Sequence, residues 1–272
     1  MICGKIRLMT EPRSPDVTLR AFSSTADFEA CVELQKVIWG RDFSDVVPLS
    51  ILKINQKVGG VSAGAFAPDG RLLGFVWGMT GVRDGELFHW SHMLGVAPEA
   101  RDLKLGERLK GLQRDLLLPL GVEEVEWTYD PLEARNAHLN LNKLGAEVKE
   151  YVEDMYAGEM GSDLAQGIGT DRFIVRWRIA RPPAEKENPA AFAAAPILSV
   201  QSGDEAFPLP LNQRVRVEIP ADIQAVKAED LDLAAAWRRS TRRAFLHYFA
   251  RGYQVTAYLR DGSRRFYGLS AT

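Results

Sequence analysis

Residues Glu86–Gly121 read ELFHWSHMLGVAPEARDLKLGERLKGLQRDLLLPLG, and the period of their apolar residues changes once. Leu87 to Val96 is an apolar and aromatic run bounded by turn signals, the mark of a strand. Leu105, Leu109, Leu112 and Leu116 recur at helical spacing, so the switch falls at Pro98. A strand that passes through a short polar loop into an amphipathic helix leaves unpaired N–H groups and the positive end of the helix dipole at the junction. Such a junction suits a phosphate.

Working outward toward the N-terminus, Asp84-Gly85 marks a turn, and Val61–Ala67 and Leu72–Thr80 are two β-rich runs around Pro68-Asp69-Gly70-Arg71. They predict a hairpin, so three strands run antiparallel into the junction. Before them, Val17–Phe22 predicts a strand, and Ser24, Thr25 or Asp27 can cap a helix that Trp39-Gly40 ends. Residues 42–58 are mixed, with a short helix starting at Pro48-Leu49; they read either as a substrate wall or as packing. Residues 1–16 read as a loose leader.

Toward the C-terminus, Val125–Tyr129 predicts a strand, about Glu133–Leu144 a helix stopped by Gly145, and Val148–Tyr156 and Phe173–Ile179 two strands around a Gly-rich excursion. Residues 181–213 turn to Pro and Ala and read as a linker or arm. Residues 214–272 read as a small α/β unit: strand Val215–Ile219, helix about Leu231–Ala250, and a hairpin around Asp261-Gly262. That helix carries more apolar surface than so short a unit can cover, so it is expected to pack on the main domain, residues 17–180, or on a second copy as a homodimer.

The 272 residues are 46% hydrophobic and 26% charged, enough for a sizeable core, and the net charge of −2 gives no electrostatic reason to expect nucleic acid or membrane as partner. Residues 214–272 carry eleven Arg or Lys against six Asp or Glu, much of it in the run RRSTRR at 238–243, which reads as a solvated helix face or a contact surface. Cys3 and Cys31 have no metal-like spacing, no metal is expected, and no stretch approaches the roughly 18 apolar residues of a membrane span. A cytoplasmic protein is expected.

The order of elements and two motifs resemble the GNAT family of acyl-coenzyme A dependent N-acyltransferases, over about residues 17–180. The first motif is the family's pyrophosphate loop, Arg or Gln, two residues, Gly, one residue, then Gly or Ala, after a strand ending Val-x-Pro. Here it is Val96-Ala97-Pro98 followed by Arg101-Asp102-Leu103-Lys104-Leu105-Gly106, with Lys104 where the first Gly is usual. A Lys there bears a cost in any left-handed conformation that Gly does not. The second motif is Asn136 through Ala146, similar to the family's Asn-bearing helix; Leu141 stands where many members carry the Tyr that protonates the leaving thiolate.

The resemblance implies an α/β fold with a mixed, mostly antiparallel sheet, splayed and flanked by helices, with pantetheine in the splay. It implies coenzyme A contacts from Leu94, Gly95, Val96, Arg101, Leu103, Lys104, Leu105, Gly106, Glu107, Arg108 and Asn136. The amine must attack as its free base, so a general base is needed. His92 is expected to serve, as a His does in the serotonin N-acetyltransferase branch, whereas His89 is expected to be structural and Glu86 is a further candidate. Strict alternation would set Trp90, His92 and Leu94 on one face and His89, Ser91 and Met93 on the other. Tyr129 is the candidate acid in place of Leu141, or else an aromatic plug of the sheet, and Trp90 a candidate substrate contact.

Ser91–Val96, Trp127–Leu132, Asn136-Ala137, Thr170–Phe173 and Trp177 resemble more closely a bacterial GNAT-like subgroup, some of whose members occur beside N-succinylamino-acid racemases. That resemblance implies transfer of an acetyl or succinyl group from its coenzyme A thioester to a small amine, an amino acid, with Arg172 apt for a substrate carboxylate. The rival readings are a silent coenzyme A sensor or scaffold, and an N-acetyltransferase acting on protein or peptide amines.

Overall fold

The computed structural model describes residues 16–156, 167–183, 186–203 and 207–272. The leader up to residue 15 and most of the Gly-rich excursion, 157–166, lie outside them. Among the described residues the first sheet has the strand order β1-β2-β3-β4-β5-β7-β6. Its strands are β1 (Thr18–Ala21), β2 (Val61–Phe66), β3 (Leu72–Arg83), β4 (Glu86–Val96), β5 (Glu124–Tyr129), β6 (Glu147–Val152) and β7 (Arg172–Arg178). All neighbours are antiparallel except β4 and β5, which are parallel because helix α3 (Leu105–Leu117) carries the chain across between them. The fold class is α/β, a mixed and mostly antiparallel sheet flanked by helices.

Helices α1 (Thr25–Trp39) and α2 (Leu49–Lys57) cover one face, and α3 the other. The Ser24 side chain caps α1 by accepting from the Asp27 amide, and the Asp27 carboxylate accepts in return from the Ser24 amide. The expected helix 133–144 is shorter as α-helix: α4 is Ala134–Ala137, and His138–Lys143 continues it as a π-helical turn. The irregular turn lets the Asn140 side chain accept from the Trp127 indole N–H at 3.3 Å.

Two features of β4 decide where its side chains go. It pairs with β5 at His89/Val125 and Trp90/Glu126, and from Ser91 on its edge toward β5 has no ladder partner among the described residues, so the strands splay. Against β3, Trp77 pairs with Met93 and Met79 with Trp90, so β4 carries one extra residue, a bulge at Ser91-His92. The bulge overturns the strict alternation expected from sequence. His89 and Ser91 meet α3 through Gln113 and Lys110. Beyond the bulge Leu94 and Val96 lie on that same face, because a Cβ at Gly106 of α3 would sit 3.7 Å from Leu94 and one at Gly74 would meet both Leu109 and Val96. Gly95 turns the other way, toward Ile38 and Trp39 of α1, as does His92, whose ring is 5.4 Å from that of Trp77.

The second sheet has the order β10-β11-β9-β8, built from β8 (Ile197–Leu198), β9 (Arg214–Ile219), β10 (Tyr253–Asp261) and β11 (Arg264–Ala271). Helices α5 (Ile223–Glu229) and α6 (Leu231–Phe249) join β9 to β10. Within the Pro/Ala-rich stretch expected as a linker, β8 pairs with β9 and Phe192 packs so closely on β11 that a Cβ at Gly268 would lie 2.7 Å from its ring. The sheets share a core. Phe173 of β7 meets Phe245 of α6 at 4.7 Å and Tyr267 of β11 at 5.3 Å, both edge to face. Such pairs are worth about 0.5–1.5 kcal/mol each beyond burial. The C-terminal unit therefore covers part of its apolar surface on the main domain of its own chain, while Leu231, Leu233 and Leu246 of α6 stay exposed.

Candidate active site

The junction quoted at the outset forms as a turn of 3₁₀ helix, Pro98–Leu103, followed directly by α3. Lys104 joins them in the left-handed conformation, φ 54° and ψ 29°. No side chain among the described residues caps the start of α3, so its first-turn amides, Leu105 to Glu107, are placed to bind an anion. Arg101, Lys104 and Glu107 are exposed around them, Leu103 and Gly106 half-buried, and Leu105 buried. Arg108 is committed elsewhere: its guanidinium donates to the Val17 carbonyl at 3.0 Å. A cleft of about 960 Å³ runs from this junction, with Lys104, Arg114, Lys143 and Arg181 on its walls against Asp16 and Glu107.

From the junction the splay leads back to the bulge. Leu94 and Val96 are half-buried on the α3 face and Gly95 is buried, while the backbone beside them is open toward β5. His92 is solvent-exposed yet set among protein on the opposite face, so burial pushes its pKa below the usual value; Asp45, from the loop between α1 and α2, opposes this. A His lowered in this way is neutral at neutral pH, as a base must be. Trp90 is half-buried two residues earlier on the same face.

Other expected site residues are engaged elsewhere. The hydroxyl of Tyr129 accepts from Tyr267 of the second sheet at 3.3 Å, and burial raises its pKa far above the ordinary value, making it a poorer proton donor. The phenol thus points into the junction between sheets and not into the splay. Arg172 is largely buried, 3.7 Å from the Asp130 carboxylate and donating to the Asp171 carbonyl at 2.9 Å, with Tyr156 beneath its guanidinium. Asn136 is exposed on α4, and Leu141 is buried. No group of three His, Cys, Asp or Glu able to hold a metal ion occurs among the described residues, and no helix among them is long and apolar enough to cross a membrane.

One cluster escaped the sequence reading. His89, Ser91, Lys110 and Gln113 are buried together between β4 and α3. The Lys110 ammonium donates to Ser91 Oγ at 2.7 Å and Gln113 Oε1 at 3.2 Å and lies 3.7 Å from the centre of the Trp127 ring. His89 is held between Thr80 Oγ1 and Gln113 Nε2, each 3.0 Å away, and burial, with Lys110 adding, pushes its pKa down to about 3. The available signal was spacing: Lys110 and Gln113, three apart, lie on the inner side of the α3 leucine stripe.

No protein-family model matches the chain, and no curated protein matches it. Among solved structures it is similar to an aminoglycoside 6'-acetyltransferase type Ii, with 14% identity over 61% of this chain and 99% of that one and a TM-score of 0.47. It is similar also to a phosphinothricin acetyltransferase of the GNAT superfamily from Sinorhizobium meliloti in complex with AcCoA: 16% identity, 62% and 94% coverage, TM-score 0.47. A third is Ard1 from Thermoplasma volcanium, with 13% identity, 59% and 95% coverage and a TM-score of 0.44.

Proposed function

We propose that the protein is a GNAT-type N-acyltransferase that moves an acetyl or succinyl group from its coenzyme A thioester to the amine of a small molecule, an amino acid. The observation that carries this reading is the parallel β4/β5 pair that opens after two rungs and leads straight into an uncapped helix start. An extended pantetheine can hydrogen-bond along the open edge of β4 as an added strand, while the pyrophosphate accepts from the first-turn amides of α3. Arg101 and Lys104 are exposed to add charge there. Asn136 serves the same ligand from α4, and Trp90 lines the acceptor side beside His92.

Catalysis in this reading is mainly positioning, with His92 removing a proton from the attacking amine, directly or through water. Backbone N–H groups at the bulge stabilise the oxyanion. Tyr129 takes no part in proton transfer, and Arg172 acts through Asp130. The bacterial subgroup beside N-succinylamino-acid racemases remains the assignment that the motifs favour. The test is thiol release from acetyl- and succinyl-coenzyme A with a panel of amino acids. His92→Ala is expected to lower kcat by about 10²–10⁴-fold with coenzyme A affinity nearly unchanged; full activity at neutral pH would remove the base assignment. Because the His92 pKa is lowered, kcat/KM is expected to rise with pH through an acid limb below about 6.5 and then level.

One observation favours a second reading, a coenzyme A sensor without turnover. Leu141 carries no proton to give, and the Tyr129 phenol lies against Tyr267 of the second sheet with its pKa raised by burial, so neither is placed to protonate the leaving thiolate. Coenzyme A binding without thiol release on any amine would select it. For the protein-acceptor reading, two of the four arginines of the basic run, Arg238 and Arg242, are ion-paired within the chain, while Arg239 is exposed.

A further inference from the structure

On the face where His92 stands, the two lips of the splay differ in chemistry. Trp77 and Met79 follow each other on that face of β3; Met79 pairs with Trp90 of β4, and the ring of Trp77 meets that of His92 edge to face at 5.4 Å. The four side chains make one surface, with Trp77 buried beneath it, Trp90 half-buried, and Met79 43% exposed beside the exposed His92. Helix α2 ends next to Met79: Asn55 Nδ2 donates to the Gly78 carbonyl at 2.8 Å, and Thr80 Oγ1 to the Gly59 carbonyl at 2.7 Å. That end of α2 carries Ile54 and Val58, both exposed.

The lip across the opening is polar. Trp127 faces Lys110 of α3, so Thr128, the next residue of β5, faces the His92 side. Its hydroxyl is 3.1 Å from that of Tyr156, and the Arg172 guanidinium is 5.4 Å from the Tyr156 ring. An acceptor whose amine reaches His92 thus lies between an apolar shelf on β3 and β4 and a polar edge on β5 and β7. Single exposed apolar residues are ordinary on a protein surface, but a contiguous set beside the reacting amine is placed to select. Coenzyme A does not cover the shelf, because Leu94 and the phosphate junction are on the α3 face. Asp45, the charged group that acts on His92 from the loop between α1 and α2, repels an acidic side chain there.

We propose that the acceptor is an amino acid with a large apolar side chain, and that Met79 selects it. The inference rests on the reading of His92 as the base of an acyltransferase. With the amine at His92, the side chain falls over Trp90, roughly 7 Å along β4, and over Met79 on the same rung, while the carboxylate is left to the polar lip. Apolar surface of both shelf and ligand then leaves water together. A polar side chain in that position gives up its hydration with no partner in return.

The experiment measures thiol release with leucine, phenylalanine, alanine, serine, aspartate and lysine, each as both enantiomers, in the intact protein, in Met79→Thr and in Met79→Leu. Because Met79 is exposed, neither substitution opens the core. The kcat/KM for leucine or phenylalanine is expected to exceed that for alanine by about 10-fold or more. The ratio should shrink to about twofold in Met79→Thr, mainly through KM, and be kept in Met79→Leu. No preference among side chains, a preference for lysine or aspartate, or a ratio that Met79→Thr leaves unmoved overturns the inference. If sedimentation finds a dimer that Met79→Thr dissociates, with the side-chain preference absent, the shelf belongs to a second copy and the inference falls. Coenzyme A binding without thiol release on any acceptor overturns the acyltransferase reading beneath it.

Discussion

Helices α3 and α6 both carry basic clusters, and the two are used in opposite ways. The run on α6 looks from sequence like the stronger anion site, with four arginines in six residues. In the structure Arg238 donates to Asp130 at 2.5 Å and to the Ile168 carbonyl at 3.0 Å. Arg242 pairs with Asp171 and with Asp154, and Arg243 donates to the Phe207 carbonyl. Arg238 and Arg242 brace α6 against the ends of β5, β6 and β7, Arg243 ties it to the stretch before β9, and Arg239 is exposed. The sparser cluster at the start of α3 leaves Arg101 and Lys104 exposed beside uncapped amides. Charge density alone therefore misleads; what identifies a site is charge whose partners are missing.

The largest effect should come from breaking the α6 brace. Arg238→Met leaves the Asp130 carboxylate short of its closest partner in a largely buried position, and the expected loss of stability is about 3 kcal/mol, read by denaturant unfolding. A loss under about 1 kcal/mol, typical of an exposed pair, would return the run to a solvated face. Acid should act on the same brace. Burial would raise the Asp171 pKa, but the hydrogen bonds from Arg242 and Tyr151 outweigh it and hold the carboxyl low. Its contribution is thus present above the unfolded value of about 3.9 and is lost as pH falls through the lower folded value. Coenzyme A affinity should not change in Arg238→Met, since the side chain donates to Asp130 after β5 and to the Ile168 carbonyl and not to the start of α3.

The next effect tests the α3 cluster itself. A Cβ at Gly106 would sit 3.3 Å from Leu139 and 3.7 Å from Leu94, a contact that Ala satisfies with a small adjustment. An indole there has room only on the open side, across the first-turn amides. Gly106→Trp should weaken coenzyme A binding by about 100-fold, roughly 2.7 kcal/mol, while Gly106→Ala stays close to the parent by calorimetry. Unchanged binding in the Trp variant would move the pyrophosphate away from α3 and dissolve the contrast with α6.

How far the sequence could see follows the same division between local and distant partners. The strand-to-helix junction, the hairpin and the start of the first helix among Ser24, Thr25 and Asp27 were legible because each is decided by residues within a few positions of one another. The β4 bulge was not, since it depends on register against Trp77–Met79, and it carried Leu94 to the other face from the one alternation assigned. Tyr129 and Arg172 were named for chemistry, but their partners, Tyr267 and Asp130, are supplied from 138 and 42 positions away. Lys110 was not singled out, because only the packing of α3 on β4 and β5 makes it buried.

The smallest effect bears on Lys104, where the junction departs from the pyrophosphate-loop motif it resembles. Lys104 adopts φ 54°, a conformation costing an L-residue about 1–2 kcal/mol that Gly adopts freely. Gly also gains freedom in the unfolded chain, which offsets part of the relief. Lys104→Gly should therefore stabilise the protein by about 0.5–1 kcal/mol. Strain kept at an exposed position next to free helix amides calls for a compensating contact, and an ammonium beside phosphate supplies one. The same variant should then bind coenzyme A about fivefold more weakly, with a smaller dependence on salt. Stability raised with affinity and salt dependence unchanged would mean that the lysine is merely tolerated at the turn, leaving the exposed charge at the start of α3 to Arg101 alone.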